Sequence, residues 1–152
     1  MKQLLYSILI IFLLTVVWVG SNEYADYQKM NSYTPEQVEQ IHQAGNLVEI
    51  PPSYYTFLNL GKYLFYITII VTFLLSLFYI LKNKNLKGYF KSLIIPASLI
   101  IFSILGIVII SKTTSLFSGE SGMGAFIILV IEGAALILSG LVNLIIYFAR
   151  KN

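Results

Sequence analysis

Glu132 interrupts residues 125–148, a run otherwise made of apolar, small and uncharged polar side chains. A carboxyl group in such a run lies inside hydrocarbon if the run crosses a bilayer. An intramembrane acid is a functional-site hypothesis by default, since its burial costs free energy and demands a partner. The acid does not prevent insertion. Near the centre of a span it costs roughly 2.5–3.5 kcal/mol, whereas Leu, Ile, Val and Phe contribute roughly −0.3 to −0.6 kcal/mol each. Fifteen such residues lie between Phe126 and Phe148, for a sum of roughly −4 to −9 kcal/mol on the same scale.

Three readings of Glu132 compete. It is neutral, or paired with Lys62, and holds helices in register. Alternatively it faces lipid and meets a polar or basic residue of a partner subunit. In the third it lines a proton or cation path, although relays of that kind generally use several intramembrane ionisable groups. Ala135, Ser139 and Asn143 follow Glu132 at helical spacing, and this small and polar stripe turns toward other helices.

Other chemistry-bearing residues point to less. His42 is the one histidine, and the chain has no cysteine, so multi-His sites, thiolate metal sites and Cys nucleophiles are absent. Gly119, Gly122 and Gly124 lack the Lys-Ser/Thr that completes a phosphate loop. Glu36 and Glu39 share a helix face without further ligands beside them and read as solvated charge. No Ser/His/Asp set, no His-Glu-x-x-His motif and no paired intramembrane acids occur. The expectation is a protein that is not an enzyme and holds no metal and no cofactor.

The elements that must position Glu132 are apolar spans. The chain has 152 residues, 57% of them hydrophobic and 11% charged, with a mean hydropathy of +0.80. That composition fits one all-α membrane domain over residues 1–152. Spans are expected near 4–20, 57–81, 93–111 and 125–148, forming an antiparallel four-helix bundle. Lys2 followed by the apolar run to Val19 also has the form of a signal peptide, with Val19-Gly20-Ser21 as a cleavage site. The length of the run and Trp18 at its boundary favour an uncleaved first span. Pro96 is expected in the first turn of the third span, where its missing amide proton does little harm.

Between the first two spans lies a polar loop, 21–53, with five acids against Lys29 alone. Thr34-Pro35-Glu36-Gln37 has the pattern of a capping box with proline at the first helical position. A short amphipathic helix from Pro35 to Ala44 is therefore expected over the outer face. Tyr24, Tyr27 and Tyr33, with Glu36 and Glu39, make this loop the candidate partner-binding surface; a capped connection with interfacial anchors accounts for the same residues. The second outer loop is 112–124.

Lys82, Lys84, Lys87 and Lys91 crowd the turn at 82–91, which reads as a lipid-facing cytoplasmic loop and not as a nucleic-acid site. With both termini cytoplasmic, the inside carries Lys2, these four lysines, Arg150 and Lys151, and no acid. Six of the seven acids then lie outside. Lysine, isoleucine, phenylalanine, tyrosine and asparagine usage points to an AT-rich bacterial gene and hence to the plasma membrane.

Counted inward from the outer surface, Ser103 and Tyr66 lie at the depth of Glu132, Thr15 slightly shallower and Lys62 about one turn above. A buried polar cluster of these residues is the expected site. The expected function is a non-catalytic accessory, protective (immunity-like) or interaction subunit that binds a membrane or secreted protein. A small oligomeric channel or proton- or cation-coupled carrier using Glu132 is the alternative. Expected partners are the bilayer and a protein in or on it, with a homo-oligomer allowed and no nucleic acid.

Overall fold

The computed structural model describes residues 2–30, 32, 34–44, 52–83, 85–113 and 120–150. Tyr33, Lys84, Glu49, Gly119 and Lys151 lie outside the described residues, as do the side chains of Asp26, Lys29, Val38, Ile41, His42 and Lys112. Five helices follow in order among the described residues: α1 (Lys2–Met30), α2 (Pro35–Gln43), α3 (Pro52–Lys82), α4 (Leu86–Thr113) and α5 (Glu120–Ala149). Four of them are long and apolar enough to cross a membrane. The chain is an all-helical, multi-pass membrane protein.

The helices outrun the apolar segments that mark them. α1 continues ten residues past Gly20 to Met30, through a polar stretch without proline or glycine to stop it. α3 starts at Pro52 instead of Phe57, because proline suits a first helical position whose amide has no helical acceptor. Residues 120–124 belong to α5 rather than to a loop. α3 runs on to Lys82 and α4 begins at Leu86, which leaves Lys82 on the last turn of α3 and Lys87 and Lys91 on the opening turns of α4. Asn85 caps α4 by accepting the Gly88 amide at 2.7 Å. Gly88 leaves no room for a side chain, since a Cβ there would run into the Asn83 backbone.

The same shift moves Pro96. It is not in a first turn, because α4 begins at Leu86 and Pro96 falls inside the helix. The carbonyl four residues back, on Ser92, therefore lacks its helical donor.

The chain divides into two compact units, one of residues 1–16 and 66–152, the other of residues 17–65. In the first, Ile11, Tyr79, Ile95 and Leu99 form an apolar core, with Leu4, Ile69, Leu75 and Phe102 against it. Phe12 meets Phe102 edge-on at 5.2 Å, and α4 packs along α5.

In the second unit Trp18 packs edge-on against Phe65 at 5.3 Å, and Tyr24 against Phe57 at 4.6 Å. Gly61 lies so close to Asn22 that a Cβ would clash with its side-chain amide, so the absence of a side chain at Gly61 makes room for that amide. α2 begins with reciprocal bonds: the Thr34 amide donates to Gln37 Oε1 at 2.8 Å, and the Gln37 amide to Thr34 Oγ1 at 3.3 Å.

Burial along α1 and α3 recurs in steps of three, four and, from Trp18 to Ala25, seven. Ile11, Thr15, Trp18 and Ala25 are buried on α1; Gly61, Phe65, Thr68, Thr72, Ser76 and Tyr79 on α3. Spacing near 3.5 keeps one narrow seam facing a neighbour. Buried positions as a whole are rich in polar groups. Among the described residues eleven buried side chains are polar or charged and eight are hydrophobic, while Leu, Ile and Phe dominate the exposed surface. Lipid is as apolar as leucine, so small and hydroxylated residues supply the interhelical contact.

Candidate intramembrane site

Two polar clusters sit inside the first unit, separated along α5 by the two turns between Glu132 and Ser139. The first is built on the carbonyl that Pro96 frees. Ser76 Oγ, from α3, donates to the Ser92 carbonyl at 2.8 Å and thereby supplies the bond that the proline withholds. Ser76 Oγ in turn accepts from Ser139 Oγ at 3.0 Å and from Asn143 Nδ2 at 2.8 Å. Asn143 Nδ2 also donates to Ser92 Oγ at 3.0 Å, and Ser92 Oγ donates to the Tyr89 carbonyl at 2.7 Å. The Ser76 hydroxyl is saturated, with one donated and two accepted bonds, and both amide protons of Asn143 are used. Three helices meet at this node, and all four side chains are buried.

The second cluster is a pair. Ser103 Oγ donates to Glu132 Oε1 at 2.6 Å, joining α4 to α5. Glu132 is 1% exposed. Its other oxygen, Oε2, is buried and has no hydrogen-bond partner among the described residues. A carboxyl so enclosed does not face lipid, which removes the reading in which it meets a partner subunit's side chain across the bilayer.

The remaining residues expected at this site are placed differently. Tyr66 is 57% exposed. Phe65 and Thr68 take the buried side of that turn, and a helix rotates the residue after Phe65 by about 100° away from it. Lys62 is exposed and belongs to the second unit. Thr15 is buried but donates to the Ile11 carbonyl of its own helix at 2.8 Å. Along the packing stripe Ser139 and Asn143 are buried in the node, and Ala135 is half-buried.

The node went unseen in the sequence for want of its α3 and α4 members. Thr68, Thr72 and Ser76 repeat every fourth residue, and Ser92 stands four residues before Pro96; these are the signals that would have found it.

Outside the apolar segments, Tyr24 and Tyr27 lie on the last turns of α1, not in a loop, and both are exposed. Tyr24 stacks on Tyr27 at 6.2 Å and accepts a hydrogen bond from Gln28 at 2.9 Å. Glu36 and Glu39 are exposed on α2. Lys82, Lys87 and Lys91 are exposed. Arg150 reaches back from the end of α5 to donate to the Leu81 carbonyl at 2.7 Å, covering an end carbonyl of α3 with a cation. Among the described residues no group of three His, Cys, Asp or Glu is placed to hold a metal.

No known family, curated protein or solved structure matches this chain.

Proposed function

We propose that the protein is a non-catalytic accessory or protective (immunity-like) subunit of a bacterial plasma membrane, binding another membrane or secreted protein from outside. In this reading the four spans form an antiparallel bundle with both termini in the cytoplasm, and α2 is an amphipathic helix lying over the outer face. Charge order along the sequence supports the orientation: the acids Glu36 and Glu39 precede the second apolar span, and Lys82, Lys84, Lys87 and Lys91 follow it. The observation that carries the binding role is the character of the second unit. It presents Tyr24 and Tyr27, 45% and 58% exposed, together with exposed Glu36 and Glu39. Exposed tyrosine offers rigid amphipathic contact area at low entropic cost.

The experiment has two parts. Single cysteines introduced as Glu39→Cys and Lys87→Cys report orientation, because the chain has no other; outside reagent should modify the first and spare the second. A photo-crosslinking residue at Tyr27 should then capture one discrete protein, and the adduct should vanish with Glu36→Lys and Glu39→Lys combined. Crosslinks that remain unchanged in that variant would sink the reading.

The alternative is a transport role through Glu132, supported by the buried Oε2 that no donor among the described residues occupies. Proteoliposome flux that disappears in Glu132→Gln, with fold intact, would decide for it. Against it, Thr15, Thr72 and Ser98 direct their hydroxyl protons to carbonyls of their own helices, which leaves them poor links in a relay.

A further inference from the structure

We propose that the face of α3 from Val71 to Leu81 seats one acyl chain of an anionic phospholipid, whose headgroup is taken by Lys82 and Arg150. The site goes beyond the outer-surface reading and does not depend on it.

A shallow groove of about 500 Å³ runs along this face, lined by Val71, Leu74, Leu75, Leu77, Phe78 and Leu81, all of them apolar. Leu74 and Phe78 are 54% and 60% exposed, so the groove lies open to lipid. Ten residues of helical rise make it about 15 Å long. That is the depth of one leaflet, half of a ~30 Å hydrocarbon core. An acyl chain laid along the helix matches it in length and chemistry.

Charge decides the occupant. Lys82 is exposed and follows Phe78 by four residues and Leu75 by seven, which puts it on the groove face one turn past the ring. Arg150 is pinned to the same end, since its Nη1 donates at 2.7 Å to the Leu81 carbonyl, the peptide unit just before Lys82. That bond uses one of the five guanidinium N–H donors and leaves the others for phosphate oxygens. Among the described residues neither cation is ion-paired, and residues 66–119 and 133–152 contain no acid. Basic sites at helix ends take anionic headgroups in this way. Net charge then selects among phospholipids, because a choline headgroup would set its own cation against Lys82 and Arg150, whereas a glycerol headgroup carries none. A second copy of the chain seated here about a twofold axis along the membrane normal would likewise bring the same cations together.

The test presents the full chain in detergent with phosphatidylglycerol or phosphatidylcholine of equal chain length and weighs the complexes intact by native mass spectrometry. The expected result is one phosphatidylglycerol retained per chain, with phosphatidylcholine bound at least 10-fold more weakly. Affinity for phosphatidylglycerol should fall about 5-fold in Lys82→Gln or Arg150→Gln and about 30-fold in the double variant, the factors expected for one and two cations near a lipid surface. Lys82→Arg should bind as the wild type does. Short-chain phosphatidylglycerol should bind more than 10-fold more weakly, since each methylene withdrawn from the groove removes apolar burial, and glycerol phosphate should not displace the lipid. Equal retention of the two lipids by the wild-type chain would overturn the proposal without recourse to any variant. So would a loss in Lys87→Gln with Lys91→Gln as large as in the double variant, which means diffuse charge and no site. Displacement by glycerol phosphate would mean an anion site without a groove. A Leu74→Cys disulfide between two copies in lipid vesicles would mean that protein, not lipid, covers this face. Circular dichroism of each variant separates loss of binding from loss of fold.

Discussion

The Asn143 node and the Glu132 pair occupy the same interior, use the same kinds of side chain and differ in completeness. At the node, a carbonyl orphaned by Pro96 is met by Ser76, and the Ser76 oxygen is met in turn by Ser139 and Asn143. At the pair, one hydroxyl serves one oxygen and the other oxygen is left over. Buried polar groups stabilise a fold when their bonding capacity is filled, and they cost free energy when it is not. The node therefore belongs to the architecture. The pair carries a cost that packing alone does not offset, and such a residue is where chemistry is to be sought.

The comparison breaks most sharply at Ser76. Ser76→Ala strands the Ser92 carbonyl and two donors, and a loss of about 1–3 kcal/mol is expected in detergent-titrated unfolding. In a Pro96→Ala background the new amide reaches Ser92, and the same substitution should cost less by about 1 kcal/mol. Costs that simply add would refute the proline account of the node. Asn143→Leu comes next, at about 1–2 kcal/mol, since it removes two interhelical bonds whose average worth in membranes is well below 1 kcal/mol each.

The pair should respond more weakly. Glu132→Leu frees Ser103 to bond its own helix and removes the unserved oxygen, so it should stay within about 1 kcal/mol of wild type, and Glu132→Gln, which keeps an acceptor for Ser103, within about 0.5 kcal/mol. A Glu132→Gln loss as large as that of Asn143→Leu would make the pair as structural as the node. Smallest of all, Arg150→Ala removes an exposed bond to Leu81 and should leave the unfolding midpoint unchanged.

Part of this was legible beforehand. Apolar runs located four spanning helices, and the Thr34–Gln37 spacing announced the two bonds that start α2. Helix ends were not legible from hydropathy, because hydropathy records where lipid stops and helices stop where backbone bonding stops. α1 thus runs on to Met30 through polar residues that keep helical geometry. Counting depth along spans set Ser103 level with Glu132, and the two are bonded. The same count set Tyr66 level as well, but depth carries no information about rotation, and Phe65 and Thr68 hold the inner side of that turn. Pro96 misled for a related reason: its position within the apolar segment is early, yet its position within α4 is interior, and only the second determines which carbonyl it orphans.

The Pro96 break also bears on how the protein is made. α3 and α4 are synthesised before α5, so the Ser76 bond that mends the gap at Ser92 needs only helices already made. Asn143 arrives last and draws the finished hairpin and the final helix together. A chain halted before α5 would thus hold a mended hairpin without its clasp, its Ser76 and Ser92 hydroxyls lacking the donors that Ser139 and Asn143 bring.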